Sequence, residues 1–237
     1  MNAIINRKAR FEDLGLMDYK ECWDYQTRLF EQTLRTKQAN RDRAPTGQKP
    51  TPNHVLFVAH PHVYTLGKSG DRSNLLIPED DLRSIDASFF HINRGGDITY
   101  HGPGQVVGYP ILDLENFFTD IHRYMRGLEE AVILTLRNFG IRGGRITGMT
   151  GVWIDAGTNR ERKICALGVK ASRWVTMHGF AFNVNTNLAY FDNIVPCGIR
   201  DKAVTSMAKE MGANPDISAV ASLLKENIAR VFGIEWI

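Results

Sequence analysis

Three short apolar runs, at 151–155, 163–172 and 174–185, follow one another with only turn-forming residues between them. Such runs read as an antiparallel β-meander, and this constrains the chain more than any other stretch of it. Long segments of a different period stand on either side. Over 18–38 the residues Tyr19, Cys22, Trp23, Leu29, Phe30 and Leu34 share one helical face behind an Asp18 cap, with Glu21 where a capping-box carboxylate belongs. Over 121–139 Tyr124, Met125, Leu128, Ala131, Val132, Thr135, Leu136 and Phe139 recur at three and four, and Gly140 supplies a stop. The run 54–66 reads as a strand, a break at Pro61 and an extended return, and 88–93 and 105–112 add two further strands. Residues 39–53 hold three prolines and no periodicity, which predicts an exposed loop within the domain. In the tail, Ile217, Val220, Leu223, Leu224, Ile228 and Val231 form a helical stripe behind Asp216. The pattern predicts a mixed α/β or α+β chain, 1–237 as a single domain, with about 200–237 as a small C-terminal helical part.

A length of 237 residues corresponds to about 1.6 average domains, and 43% hydrophobic residues suffice for a sizeable core. The charge balance of 29 basic against 26 acidic residues lacks the strongly basic stripe that nucleic-acid binding needs. Three cysteines, Cys22, Cys165 and Cys197, cannot form a disulfide framework and suit a reducing compartment. No segment reaches the roughly 18 apolar residues of a membrane helix, and the first residues lack a secretory pattern. The expected location is cytoplasmic, away from membranes.

Chemistry concentrates in three places. In the first, Arg94 through Gln105, four glycines fall within ten residues between two strands. Glycine permits close backbone approach or positive φ, so the segment is a ligand-cradling loop or simply a tight turn. It matches neither the phosphate loop nor the dinucleotide pattern, and a nucleotide is not implied. Arg94 is suited to a polar head or to pairing with a carboxylate. The second place is 163–168, where strand alternation would put Lys163, Cys165 and Leu167 on one face. A lysine opening an apolar strand is most often an edge or snorkelling residue, and only a partner would give it chemistry.

The third place supplies that partner. Cys197 stands between φ-fixing Pro196 and permissive Gly198, a setting that presents a thiol at a sharp turn. Cys22 and Cys165 fit the ordinary role of a small buried hydrophobe better. The reactive species is the thiolate, which a neighbouring ammonium favours, so a Cys/Lys pair is chemically sufficient for acyl transfer. Histidine is the more usual base, and pairing of Cys197 with His101 or His178 competes with pairing to Lys163. His60 and His62, with His101 or His178, are weak metal-ligand candidates, because no recognised ligand spacing accompanies them, and no metal is expected.

Four ordered motifs carry a resemblance: Arg94-Gly95-Gly96 with Thr99-Tyr100-His101-Gly102-Pro103-Gly104-Gln105, Lys163-Ile164 with Leu167-Gly168, His178-Gly179 with Ala181 and Asn183, and Pro196-Cys197-Gly198. In these the sequence resembles the lipoyl(octanoyl) transferases, over most of its length; the segment His60-Pro61 with Tyr64-Thr65-Leu66-Gly67 resembles the family's early strand and turn. The resemblance implies a biotin/lipoate protein ligase-like fold, a central mixed sheet flanked by helices with a small C-terminal subdomain. It implies octanoyl transfer from octanoyl-acyl carrier protein, through a thioester on Cys197, to a lysine amine of lipoyl domains in 2-oxoacid dehydrogenases and the glycine cleavage H protein. Lys163 is then the acid and base. Arg94, Gly95, Gly96, Asp97, Ile98, Thr99, Tyr100 and His101 are implied to line the acyl site with Ala166, Leu167, Gly168, Gly179, Phe180 and Ala181. The stretch 39–52 looks like an insertion, and Trp174 replaces a commonly smaller residue.

The chemistry of that reading requires no cofactor. Exchange of one thioester for another is nearly isoenergetic, and passage to an amine is downhill once a base removes the proton, so no ATP is needed. Backbone amides at Leu167 and Gly168 are candidate oxyanion donors. Gly95, Gly96, Gly168, Gly179 and Ala181 leave room for a straight aliphatic chain. Competing expectations are an ATP-dependent lipoate or biotin ligase, which needs no cysteine, a non-catalytic carrier-binding module, and a thioesterase that passes the acyl group to water.

Overall fold

Strand β1 (Lys8–Leu16) comes first in a computed structural model that describes residues 5–195 and 203–237. The Pro196-Cys197-Gly198 motif lies outside the described residues. β1 carries no sequence signal of its own, because Ala9 is its single buried residue and backbone pairing holds it in place. Helix α1 (Tyr19–Arg41) then starts where Asp18 accepts the backbone N–H groups of Lys20 and Glu21. It runs three residues past the predicted end, into a loop whose two sides Asn40 ties together through Lys49 N–H and O.

Pro61 does more than interrupt a strand. β2 (His54–Ala59) belongs to a large sheet, and β3 (Val63–Leu66), after three intervening residues, belongs to a small one. β3 is flanked in parallel by β4 (Ser88–His91) and antiparallel by β5 (Ile98–His101). The glycine-rich segment 94–105 therefore holds a strand, where the sequence suggested a loop or turn throughout. The alternation in β5 is hidden by the glycines around it.

β6 (Gln105–Ile111) returns to the large sheet, and α2 (Ile121–Asn138) follows behind an Asp120 cap. The predicted meander appears as β8 (Met149–Ile154), β9 (Arg162–Ser172) and β10 (Val175–Asn183), preceded by β7 (Gly143–Ile146), which has too few apolar residues to announce itself. The chain closes with β11 (Ala203–Val204), α3 (Met207–Met211), α4 (Ile217–Phe232) and β12 (Glu235–Trp236). The large sheet runs β12-β1-β2-β6-β10-β9-β8-β7, with β11 also on β9. Pairing is parallel at β12–β1, β1–β2 and β11–β9 and antiparallel elsewhere, so the sheet is mixed.

Helices cover both faces of this sheet, and the period-two rule sorts its side chains between them. Val55 and Phe57 of β2 join Phe180 and Phe182 of β10 in a core shared with α2 and α4. Leu56, Val58 and Ala181 point the other way, against Cys22, Leu29 and Phe30 of α1. The C-terminal part is built into the first of these cores through Val220, Leu224, Ile228 and Phe232, and β12 closes the sheet edge beyond β1.

One buried ion pair ties the end of α1 to the segment after β6. Lys37 Nζ lies 2.5 Å from Asp113 Oδ1, with the two side chains 10% and 4% exposed, and Thr51 Oγ1 donates to the other Asp113 oxygen at 2.9 Å. Removing one partner leaves a desolvated charge behind. Asp113→Ala should destabilise the protein by about 3 kcal/mol in equilibrium denaturation, and a loss below about 1 kcal/mol would mean that half-exposed Glu115, 3.1 Å from Lys37, takes over the charge.

Candidate active site

β9 has β10 along one edge from Cys165 onward, but β8 covers its other edge only as far as Cys165. The uncovered stretch is where the glycine-rich loop docks: Gly95 N donates to Val169 O at 2.9 Å. This close approach requires that Gly168 have no side chain, since a Cβ there would sit 2.9 Å from both Gly95 O and Arg94 Cδ. Arg94 braces the same loop, its guanidinium donating to Thr65 O at 2.7 Å, Thr65 Oγ1 at 2.9 Å and Gly95 O at 3.1 Å. The named contacts of Arg94 are thus internal struts between β3 and the loop.

The loop, β5, β9 and β10, with the first turns of α2 and the turn before β8, enclose a cavity of about 490 Å³. This lies within the ordinary range for a small-molecule site. Arg94, Gly95, Gly96, Asp97, Ile98, Thr99, Tyr100 and His101 line one side, and Lys163, Ala166, Leu167, Gly168, Gly179, Phe180 and Ala181 line another. Every described residue that the resemblance implies for the acyl site thus borders one space, together with Lys163. Cys197, the remaining one, lies outside the described residues.

Strand alternation predicted Lys163 and Cys165 on a common face, and this is not what forms. The pairing of β8 with β9 slips between Val152, opposite Cys165, and Trp153, opposite Lys163, so Ile164 is an extra residue and the alternation breaks. Ile164 and Cys165 both enter the core, while Lys163 remains on the cavity wall. Burial, reinforced by the Glu129 carboxylate, pushes the Cys165 thiol well above its ordinary pKa, which disfavours the reactive thiolate. Cys22 is likewise pushed up to about 12 by burial.

Lys163 rests on two groups without a sequence signature. Its ammonium stands 4.7 Å over the centre of the buried Trp153 ring, a cation–π contact. Its stem passes over Gly151, where φ is +125° and a Cβ would meet Lys163 Cε at 3.3 Å and Cys165 O at 2.8 Å.

His178 and His101 are held neutral. Burial, with Arg94 and Lys170 nearby, lowers His178 to about 3, and its ring bonds Asn93 Oδ1 at 3.0 Å while its backbone N–H donates to Gln26 Oε1. Burial also takes His101 well below its ordinary value, and the ring stacks on Tyr19 with centroids 5.8 Å apart. His60 bonds Met17 O and the Tyr109 hydroxyl, and His62 bonds the Tyr100 hydroxyl. Among the described residues no group of three or more His, Cys, Asp and Glu side chains is placed to hold a metal ion.

Of the two amides suggested as oxyanion donors, one is available. Because Val169 O points out to Gly95, alternation along β9 turns the Leu167 N–H to the same open edge and spends that of Gly168 on the β10 ladder.

Two motif residues without an assigned role join the site together. Gln105 Nε2 donates to Asn183 Oδ1 at 2.9 Å and to Tyr100 O at 3.1 Å, and Asn183 Nδ2 donates to Thr205 O at 3.0 Å. Thr205 N in turn donates to Lys163 O at 2.9 Å. The chain that resumes at Ala203 is thereby fixed beside Lys163.

Replacing Gly168 by valine should lift the loop off β9. Amide hydrogen exchange would detect this as lost protection at Gly95; unchanged protection would mean that Arg94 alone holds the loop.

Comparison with known proteins agrees with this architecture. Residues 18–229 match the family model described as the lipoyl protein ligase A/B catalytic domain. An octanoyltransferase of Christiangramia forsetii is 58% identical over 98% of both chains, and one of Flavobacterium psychrophilum is 64% identical over 88% of this chain and 89% of its own. In fold, the chain is similar to the bipartite lipoate protein ligase of Thermoplasma acidophilum, with a TM-score of 0.70 at 17% identity, covering 98% of this chain and 86% of that one. The chain belongs to the lipoyl protein ligase A/B catalytic-domain family and, within it, to the octanoyltransferases.

Proposed function

We propose that the protein transfers an octanoyl group from octanoyl-acyl carrier protein, through a thioester on Cys197, to a lysine amine of lipoyl domains, among them those of 2-oxoacid dehydrogenases and the glycine cleavage H protein. The observation that carries this reading is the gathering of three motifs, remote in sequence, around one cavity with Lys163 on its wall.

In the first half, Lys163 takes the Cys197 proton, and the thiolate attacks the acyl carbonyl of the donor. The carrier sulfur leaves and receives that proton. In the second half, the acceptor amine attacks the new thioester, its surplus proton passes to Lys163, and the C–S bond breaks as the C–N bond forms. Cys197 then recovers its proton, and nothing is oxidised or reduced. Leu167 N–H is suited to stabilise the oxyanion in both halves.

Two features favour lysine over histidine as the proton carrier. His178 and His101 are both kept neutral by burial, which makes each a weak base. The described neighbours of the cysteine motif also bear on the pairing. Val195 N donates to Asn74 O at 2.8 Å before it, and Val204 pairs with Lys163 after it.

Intact-mass spectrometry after mixing with octanoyl-carrier protein tests the assignment. Wild type should gain one octanoyl mass and lose it to an added lipoyl domain, Cys197→Ala should gain none, and Lys163→Ala should load at least a hundredfold more slowly. A mass gain that persists in Cys197→Ala defeats the proposal. Full transfer by Cys197→Ser that depends on ATP would assign a ligase, and donor loss without acceptor modification a thioesterase.

Chain-length preference tests the cavity itself. Each methylene buried contributes about 0.8 kcal/mol, so hexanoyl donors should load roughly tenfold less efficiently than octanoyl donors. Equal kcat/KM for the two would show that the cavity does not hold the chain.

A further inference from the structure

Glu129 is fully buried on α2, yet it is no part of the reaction described above. Its carboxylate is completely engaged. One oxygen accepts the Gly151 N–H at 2.9 Å, and the other accepts from Arg126 Nη1 at 2.6 Å and Arg145 Nε at 3.0 Å. Arg145 reaches on to Glu130 at 2.6 Å, so two carboxylates and two guanidiniums form a compact cluster of no net formal charge. Such a cluster is expensive to assemble and gives little stability that apolar residues could not match, so its use lies in fixing one geometry.

That geometry is the floor beneath Lys163. Gly151 is the residue over which the lysine stem passes, and it sits at a positive φ where a side chain would strike both Lys163 Cε and Cys165 O. Two positions further along β8, the Trp153 ring supports the ammonium. A shift of Gly151 would therefore move both supports of Lys163 together.

We propose that Glu129 is a positioning residue for Lys163: by clamping the Gly151 amide and the hairpin of β7 and β8, it holds the lysine nitrogen where it can exchange protons with the reacting sulfur. This rests on the reading of Lys163 as acid and base. Glutamine at 129 keeps an oxygen for Gly151 but turns an N–H₂ group towards two guanidiniums, which repel it. The hairpin should then settle elsewhere, and a displacement of about 1 Å at a proton carrier can lower turnover by up to roughly a hundredfold.

The test is a double-mutant cycle on the full-length protein, with octanoyl-carrier protein and a lipoyl domain as substrates. Glu129→Gln should lower kcat at least tenfold while the KM for the lipoyl domain stays within twofold. Combined with Lys163→Ala, it should add nothing to the defect of Lys163→Ala alone, because there is no longer a lysine to position. Independent, multiplying defects would overturn the proposal, as would a Glu129→Gln rate within twofold of wild type. Should Glu129→Gln fail to fold, Gly151→Ala replaces it in the same cycle with the same expected outcomes. Wild-type transfer by Lys163→Ala would instead overturn the lysine reading, and the two failures are thus distinguishable.

Discussion

The contact on which the site depends is a backbone hydrogen bond across a strand edge that has no strand partner among the described residues, from Gly95 N to Val169 O. It brings the small sheet against the large one, and the cavity is the space left between them. Three constraints meet there. β8 must stop covering β9 after Cys165, Gly168 must lack a side chain, and Arg94 must span from the loop to Thr65. The polar edge of β9, which would otherwise be an invitation to unwanted pairing, is partly consumed in building the site.

The electrostatics of the cavity are sorted by burial. Burial holds His101 and His178 neutral, and the thiol nearest to Lys163 among the described residues is sealed in the core. Lys163 keeps its place on the wall, supported by an aromatic face and by bare backbone. Glu129 gathers Arg126 and Arg145 where α2 meets the hairpin of β7 and β8, and Arg126 also borders the cavity.

Long-period features were legible in the sequence because each rests on local chemistry. Asp18 and Asp216, the caps read from the sequence, hold their helices through their own side chains, and the apolar stripes behind them follow from helical geometry alone. Strands without alternation escaped: β1 buries a single residue, β7 is half glycine, and β5 lies inside the glycine motif. The motifs named the cavity wall, yet not how it is held. The bulge at Ile164 arises from how β8 meets β9, and no single-strand pattern encodes it. Trp153 and Glu129 act on Lys163 across strand and helix contacts, so neither has a neighbour in sequence that betrays its role.

At the far end of β10 the chain leaves the sheet after Asn183, and when it rejoins at Ala203 it takes the place beside β9 that β10 has just vacated, now running in the opposite sense. Departure and return are stitched a few ångströms apart by the amide of Asn183. A detour anchored in this way can change length at little entropic cost, because closing a longer loop between fixed ends adds only fractions of a kcal/mol per extra residue. Outside the Cys197 motif, this detour can therefore lengthen or shorten while the sheet, and the pocket built on it, stays in register.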